Sequence, residues 1–264
     1  MCRLLCTLHL VRHGETTANR EGIIQGHLDY DLAPIGVNQA EVTAKRLRGH
    51  TYWQTHSSDM RRAYRTAEII LEEHPGWTLV KTPLLREFGL GAQEGLPRGT
   101  TWFKARSIKA QEARVSFDDY DECLRESPAD VQKRAQLFLD ALVADAVRAA
   151  AGIAAGGNGN GASAAAAAAA AAAKGAAAQQ DENARLALVV AHGGLLNVMM
   201  LAVMGLEENA PIMSNCAVAV VDVFEQAERV QYVPRTLNDV SHFREFELPA
   251  SSRGVENFGH PFAK

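Results

Sequence analysis

Cysteine is scarce in this chain. The four cysteines, at 2, 6, 123 and 216, form no Cys-x-x-Cys pair and no dense framework. That excludes a small disulfide-stapled fold and points to reduced thiols in a cytoplasmic protein. Positive charge is not in excess: 27 Lys plus Arg stand against 31 Asp plus Glu, a formal net charge of -4. Such a balance argues against a chain whose task is to hold nucleic acid or an anionic membrane. Long apolar runs are missing apart from an alanine tract, and alanine is a poor membrane anchor. Aromatics are only 6% of the 264 residues. Enough Leu, Val, Ile and Phe remains outside the alanine tract to bury a sizeable core. The apolar N-terminus has no small-residue cleavage site after it and runs into Arg12-His13-Gly14-Glu15, so it reads as a strand rather than a leader.

What is present alternates between two periods. Residues 4–11, 52–55, 77–82 and 186–191 are short apolar runs that read as strands, and 216–224 with 229–233 read as a closing hairpin. Between them, 34–48, 97–114, 129–150 and 195–204 read as helices. Ser57-Ser58-Asp59 offers N-cap chemistry for one more helix over 60–73. The alternation predicts an α/β fold, a three-layer α/β/α sandwich with a mostly parallel sheet. From 151 to 181 the composition collapses into Gly, Asn and Ala, which reads as a low-complexity surface insertion without a catalytic part. The strands on either side need each other to make one sheet, so residues 1–264 are expected to form a single domain.

Two histidines share one setting. His13 and His192 each follow an apolar strand and precede a glycine, which places both at the carboxyl end of a strand, where such sheets open a ligand crevice. Groups suited to an anion surround them in sequence: Arg12 before His13, Asn19, Gln25 and Gly26 in the following loop, and Arg62 in the first turn of the 60–73 helix. Guanidinium forks match phosphate oxygens. Arg61 and Arg65 are expected to face solvent or acidic neighbours. His9 and His13 are four apart on a strand, without the Glu of a zinc-binding helix, so no metal and no cofactor is expected.

The segment Leu10-Val11-Arg12-His13-Gly14-Glu15-Thr16 with Asn19 resembles the signature of the histidine phosphatase superfamily, also called phosphoglycerate mutase-like. Further motifs follow in that family's order: Ser57-Ser58-Asp59-Met60-Arg61-Arg62-Ala63, Leu85-Arg86-Glu87-Phe88-Gly89, Ala191-His192-Gly193-Gly194, and Ser214-Asn215-Cys216. The resemblance implies roles. His13 would be the nucleophile that becomes a phosphohistidine, and Arg12, Arg62 and His192, with Gly193, would hold the phosphoryl oxygens. Asn19, Gln25 and Gly26 would add substrate contacts. Glu87 would protonate the leaving oxygen and then activate water. Arg98 would meet a second anionic group on the substrate.

The layout is similar to small-molecule phosphatases of the fructose-2,6-bisphosphatase type. It implies a metal-independent phosphomonoesterase acting on sugar phosphates or related metabolites. A cofactor-dependent mutase is the alternative, although the paired-arginine stretch of that group is missing between 94 and 114. A non-catalytic phosphate-binding relative is a third reading. Two departures, Glu126-Ser127 without a preceding Gly and Phe88-Gly89-Leu90, fall where the family borders its substrate mouth.

Overall fold

A computed structural model describes residues 2–74, 76–120, 125–152, 185–206, 212–227 and 229–244. The expected insertion lies outside them, except for its first two residues. Strands are β1 (Cys2–Arg12), β2 (Tyr52–Ser58), β3 (Leu79–Thr82), β4 (Arg185–Ala191), β5 (Val218–Gln226) and β6 (Arg229–Asp239). Helices are α1 (Thr17–Arg20), α2 (Pro34–Leu47), α3 (Arg61–Glu72), α4 (Trp102–Ala113), α5 (Pro128–Ala150) and α6 (Gly193–Val198). The last continues as a wider π turn over Met199–Val203, where an uninterrupted α-helix was expected.

One six-stranded sheet runs in the order β3-β2-β4-β1-β5-β6. Pairings among β3, β2, β4 and β1 are parallel, and β5 is antiparallel to both its neighbours. The expected mostly parallel α/β sheet is therefore present. Its central strands are apolar on both faces, as a sheet covered on both sides requires. Alternate residues divide between two cores. Leu8, Leu10 and Val189 pack with Val131, Leu139 and Leu142 of α5. Val11, Leu188 and Val190 pack with Leu47 of α2 and Ile70 of α3.

Two helix starts differ from expectation. α4 begins at Trp102 rather than near Pro97, because Gly99 at φ +85° turns the chain and Thr101 caps the helix. α3 does not use Ser57-Ser58-Asp59 as its cap. Its N-cap is Met60, Asp59 pairs with Arg86 at 2.6 Å, and the backbone N–H of Arg61 donates to Asp29 at 2.6 Å. A carboxylate from a distant loop thus satisfies one of the donors a helix start leaves open.

The core also sets an acid limit on stability. His9 is buried with Nδ1 2.9 Å from the Tyr52 hydroxyl and its ring 4.8 Å from that of His50. Burial first, then the charges of His50, Arg46 and Arg235, push its pKa down to about 3. Burial pushes His56 down to about 4. The unfolded chain protonates such groups near 6.5 while the folded chain leaves them neutral. Their contribution is complete above pH 6.5 and is lost as pH falls through the acid range. His9 alone is expected to remove about 2 kcal/mol by pH 5. Urea unfolding at pH 7.5 and pH 5 checks this, and equal stability at the two pH values would contradict it.

Candidate active site

β1 and β4 are hydrogen-bonded neighbours in parallel register, with Arg12 beside Ala191. The residues that follow them therefore emerge together. The backbone N–H of His13 donates to the Ala191 carbonyl at 2.9 Å, and the His13 and His192 rings lie 5.2 Å apart. From the other side of β1, Asn215 donates from Nδ2 to the His13 carbonyl at 2.9 Å. The start of α3 sends Arg62 into the same space, where Nε donates to His192 Nδ1 at 3.2 Å.

Each imidazole has a defined proton position. Nδ1 of His13 sits 2.7 Å from the Gly14 carbonyl. A carbonyl only accepts, so Nδ1 carries the proton and Nε2 keeps its lone pair. His192 is the reverse. Its Nδ1 accepts from Arg62, so Nε2 carries the proton, and that atom is buried without a partner. Burial is the main cause that holds both rings well below the usual histidine range. Arg62 and Arg12 add to it at His13, and Arg62, His13 and Arg12 add to it at His192. Both rings are neutral at pH 7.

Both guanidinium groups are nearly out of solvent. Arg12 donates from Nη1 to the Met213 carbonyl at 2.7 Å, and its buried Nε has no partner. Arg62 donates from Nη1 to Leu28 and from Nη2 to Gly26, at 2.9 and 2.8 Å. Burial lowers each to a pKa of about 10, partly opposed by the charge of Glu87, so both stay cationic at neutral pH. Two desolvated cations faced by one carboxylate leave a positive balance that suits a dianion.

Glu87 points into this space rather than pairing with Arg86. Oε1 accepts from the backbone N–H groups of Phe88 and Leu195, and Oε2 from Gly194, each at 3.0 Å. The two glycines after His192 make room for these neighbours. A Cβ on Gly193 would meet the Arg12 guanidinium at 3.3 Å, and one on Gly194 would lie 2.5 Å from Glu87 Oε1. Gly194→Ala must therefore displace the carboxylate. Because a misplacement near 1 Å can cost about 100-fold, any turnover that uses this carboxylate is expected to fall about 10- to 100-fold in the variant with little change in melting temperature. Full activity would contradict the placement of Glu87.

Arg12, His13, Asn19, Gln25, Gly26, Arg62, Glu87, Arg98 and Gly193 all line one cavity of ≈ 400 Å³. His192 is fully buried beside His13, their rings 5.2 Å apart, and does not itself line the cavity. Asn19 uses Oδ1 to accept from the backbone N–H of Thr16, and the Thr16 hydroxyl lies 3.0 Å from both Asn19 Oδ1 and Gln25 Oε1, one of which takes its proton. Gly26, at φ +49°, carries the turn that presents its carbonyl to Arg62. Arg61 sits by Asp29 and Asp31, and Arg65 by Glu68, as expected.

Several supports were not visible in sequence. Arg134 of α5 donates to the carbonyls of Leu84, Arg86 and Glu87 while paired with Glu126. It thereby fixes the segment that carries Glu87. Glu94 Oε1 accepts from the backbone N–H groups of His27 and Leu90. In sequence, Arg134 is one more charged helical position beside Val131 and Ala135.

The family model of the histidine phosphatase superfamily (branch 1) matches residues 8–157. Among curated proteins, "Probable phosphoglycerate mutase GpmB" of Yersinia pestis (strain Pestoides F) is 42% identical over 90 residues, 34% of this chain and 41% of that protein. The chain thus matches about two fifths of the length of that relative. Among solved structures, a mycobacterial glucosyl-3-phosphoglycerate phosphatase complexed with VO3 is similar at 25% identity. The TM-score is 0.63, covering 88% of this chain and 99% of that one. A phosphoglycerate mutase from Bacillus anthracis shares the fold at 19% identity, with a TM-score of 0.61 over 90% of this chain and 94% of that one.

Proposed function

This chain belongs to the histidine phosphatase superfamily, branch 1, and on that footing we propose that it hydrolyses a small phosphate monoester through a phosphohistidine at His13. One observation carries the reading: a neutral His13, with Nδ1 engaged by Gly14, shares a buried cavity with two guanidinium groups and one carboxylate. Hydrolysis of phosphate monoesters is slow enough uncatalysed to call for up to about 10²¹-fold acceleration. The transition state spreads charge over the equatorial oxygens, and preorganised donors stabilise it. Arg12 Nε, on a residue of the cavity wall, is one such donor, already desolvated and unpartnered, and His192 Nε2 is buried and unpartnered beside His13.

On binding of the dianionic ester, whose charge favours the neutral acid, Glu87 takes up a proton from solvent. The lone pair of His13 Nε2 then forms the P–N bond while the P–O ester bond breaks, and the departing oxygen takes that proton from Glu87. Oε1 of Glu87 is filled by two N–H donors and Oε2 by one, so Oε2 is the atom that gives and takes the proton. Glu87 then removes a proton from water, the water oxygen attacks phosphorus, and the electron pair returns to Nε2 as inorganic phosphate leaves. Asn19, Gln25, Gly26, Gly193 and Arg98 serve as substrate contacts. The chain acts as one histidine phosphatase unit, 1–264, with 151–181 outside the chemistry. Free Cys2, Cys6 and Cys216 support work in the cytoplasm. Among the described residues no helix is long and apolar enough to cross a membrane.

In this scheme Arg12 and Arg62 supply the positive charge that a metal ion supplies elsewhere. Phosphate release from a panel of phosphorylated metabolites, sugar phosphates first because the sequence resemblance implies them, is therefore expected to be unchanged by excess EDTA. Loss of release that returns with a divalent metal would overturn metal independence. A mutase is the second reading, favoured by the name of the Yersinia relative. Rapid formation of 2-phosphoglycerate from 3-phosphoglycerate with 2,3-bisphosphoglycerate, outpacing phosphate release, would establish it instead.

A further inference from the structure

Beside its charged groups the cavity has a second chemistry. Among the described residues Ile23, Ile24, Phe88, Leu90, Val198 and Ile212 also line it. These come from four separate stretches of chain: the loop after α1, the segment after Glu87, α6, and the approach to β5. Together they supply the hydrocarbon part of the lining.

Two polar residues of the lining are engaged by backbone carbonyls. Gln93 donates from Nε2 to the Thr100 carbonyl at 2.8 Å, and the Thr100 hydroxyl donates to the Pro97 carbonyl at 2.7 Å. Asn197 also lines the cavity, and its buried Nδ2 has no partner. The lining thus sets six hydrocarbon side chains beside a few partly engaged polar ones. A polyhydroxylated body placed against it would leave hydroxyl groups without partners, which is costly. A hydrocarbon body would displace water from both surfaces and gain affinity.

We propose that the alcohol released at this site is largely apolar, an aryl- or alkyl-bodied group with at most one hydrogen-bond acceptor facing Asn197. This rests on the hydrolase reading above and departs from the sugar phosphates that the sequence resemblance implies. The phosphoryl end is held by the charged groups, and the hydrocarbon lining selects what is attached to it. Arg98 lines the same cavity, and a short carboxylate-bearing ester is the competing occupant.

The test compares esters whose leaving groups are alike at the reacting oxygen. 2-Phenylethyl phosphate and glucose 6-phosphate are both esters of primary alcohols, and 3-phosphoglycerate adds the carboxylate. The phenylethyl ester is expected to show a kcat/KM at least about tenfold above the other two, in the range one hydrophobic group contributes to discrimination. Equal or greater values for glucose 6-phosphate or 3-phosphoglycerate overturn the proposal. Calorimetric binding of the same esters to His13→Ala protein, whose residual turnover is too slow to deplete them, separates the two layers. Tenfold tighter binding of the phenylethyl ester without any turnover by the unaltered protein supports this inference and sinks the hydrolase reading. Turnover without that preference sinks this inference alone. Leu90→Asn, with the same number and branching of side-chain heavy atoms, is expected to bring the binding ratio toward one. A ratio still near tenfold in a variant that binds glucose 6-phosphate normally overturns the assignment of that lining.

Discussion

Replacing His13 with alanine is expected to lower kcat for phosphate release by about 10⁴- to 10⁶-fold, the scale on which enzymes lose rate when their nucleophile is removed. The residual rate would come from Arg12 and Arg62, which still gather the phosphoryl oxygens. The cause is chemical, since Nε2 is the only atom in the scheme that accepts phosphorus. The structural cost is smaller. Losing the ring leaves the Gly14 carbonyl without its Nδ1–H donor, worth about 1–3 kcal/mol for a buried group. Circular dichroism and urea unfolding would show a folded protein, so stability and chemistry separate cleanly. A His13→Ala protein that retains a tenth of the activity would remove His13 from the mechanism.

Glu87→Gln is expected to split by leaving group. For an alkyl ester, whose alkoxide cannot depart without a proton, kcat should fall by about 10²- to 10⁴-fold, the usual contribution of a positioned acid or base. For 4-nitrophenyl phosphate the first step needs no proton, so the phosphoenzyme should still form. Its hydrolysis, which needs the base, becomes limiting. The expected signature is a burst of nitrophenolate followed by a slow steady state, with phosphate held on the protein. The amide nearly matches the carboxylate in shape, and its oxygen can keep the N–H donors of Phe88 and Leu195. Its NH₂ group, however, faces the Gly194 N–H that now donates to Oε2. No burst, with phosphoenzyme formation slowed equally for both esters, would contradict the assigned role, because a merely displaced loop would not sense the leaving group.

Much of the phosphoryl pole was legible because its residues end the most apolar segments of the chain. Leu8, Leu10, Val189 and Val190 make strands buried on both faces, and a polar His-Gly directly after such a run marks a strand's open end. That the two runs are neighbours was not legible. β4 enters the sheet between β1 and β2, and strand order is decided by tertiary packing. The helix that carries Arg62 was legible, but the acceptor satisfying its first turn was not, since Asp29 lies in a loop whose local sequence says nothing about α3. Arg134 was hidden for the same reason. The hydrocarbon part of the cavity lining was the least legible part. Ile23 and Ile24 sit in an irregular loop without periodicity, and they acquire meaning only beside Phe88, Leu90 and Val198.

The central claim is that phosphorus passes through His13. Rapid quenching of the unaltered protein with a ³²P-labelled phosphate ester into alkaline denaturant, followed by peptide mapping, addresses it directly. The account predicts label on the peptide containing His13, stable to alkali, lost in acid, and absent from His13→Ala. Steady phosphate release with no label on the protein, or label on another residue, would contradict it.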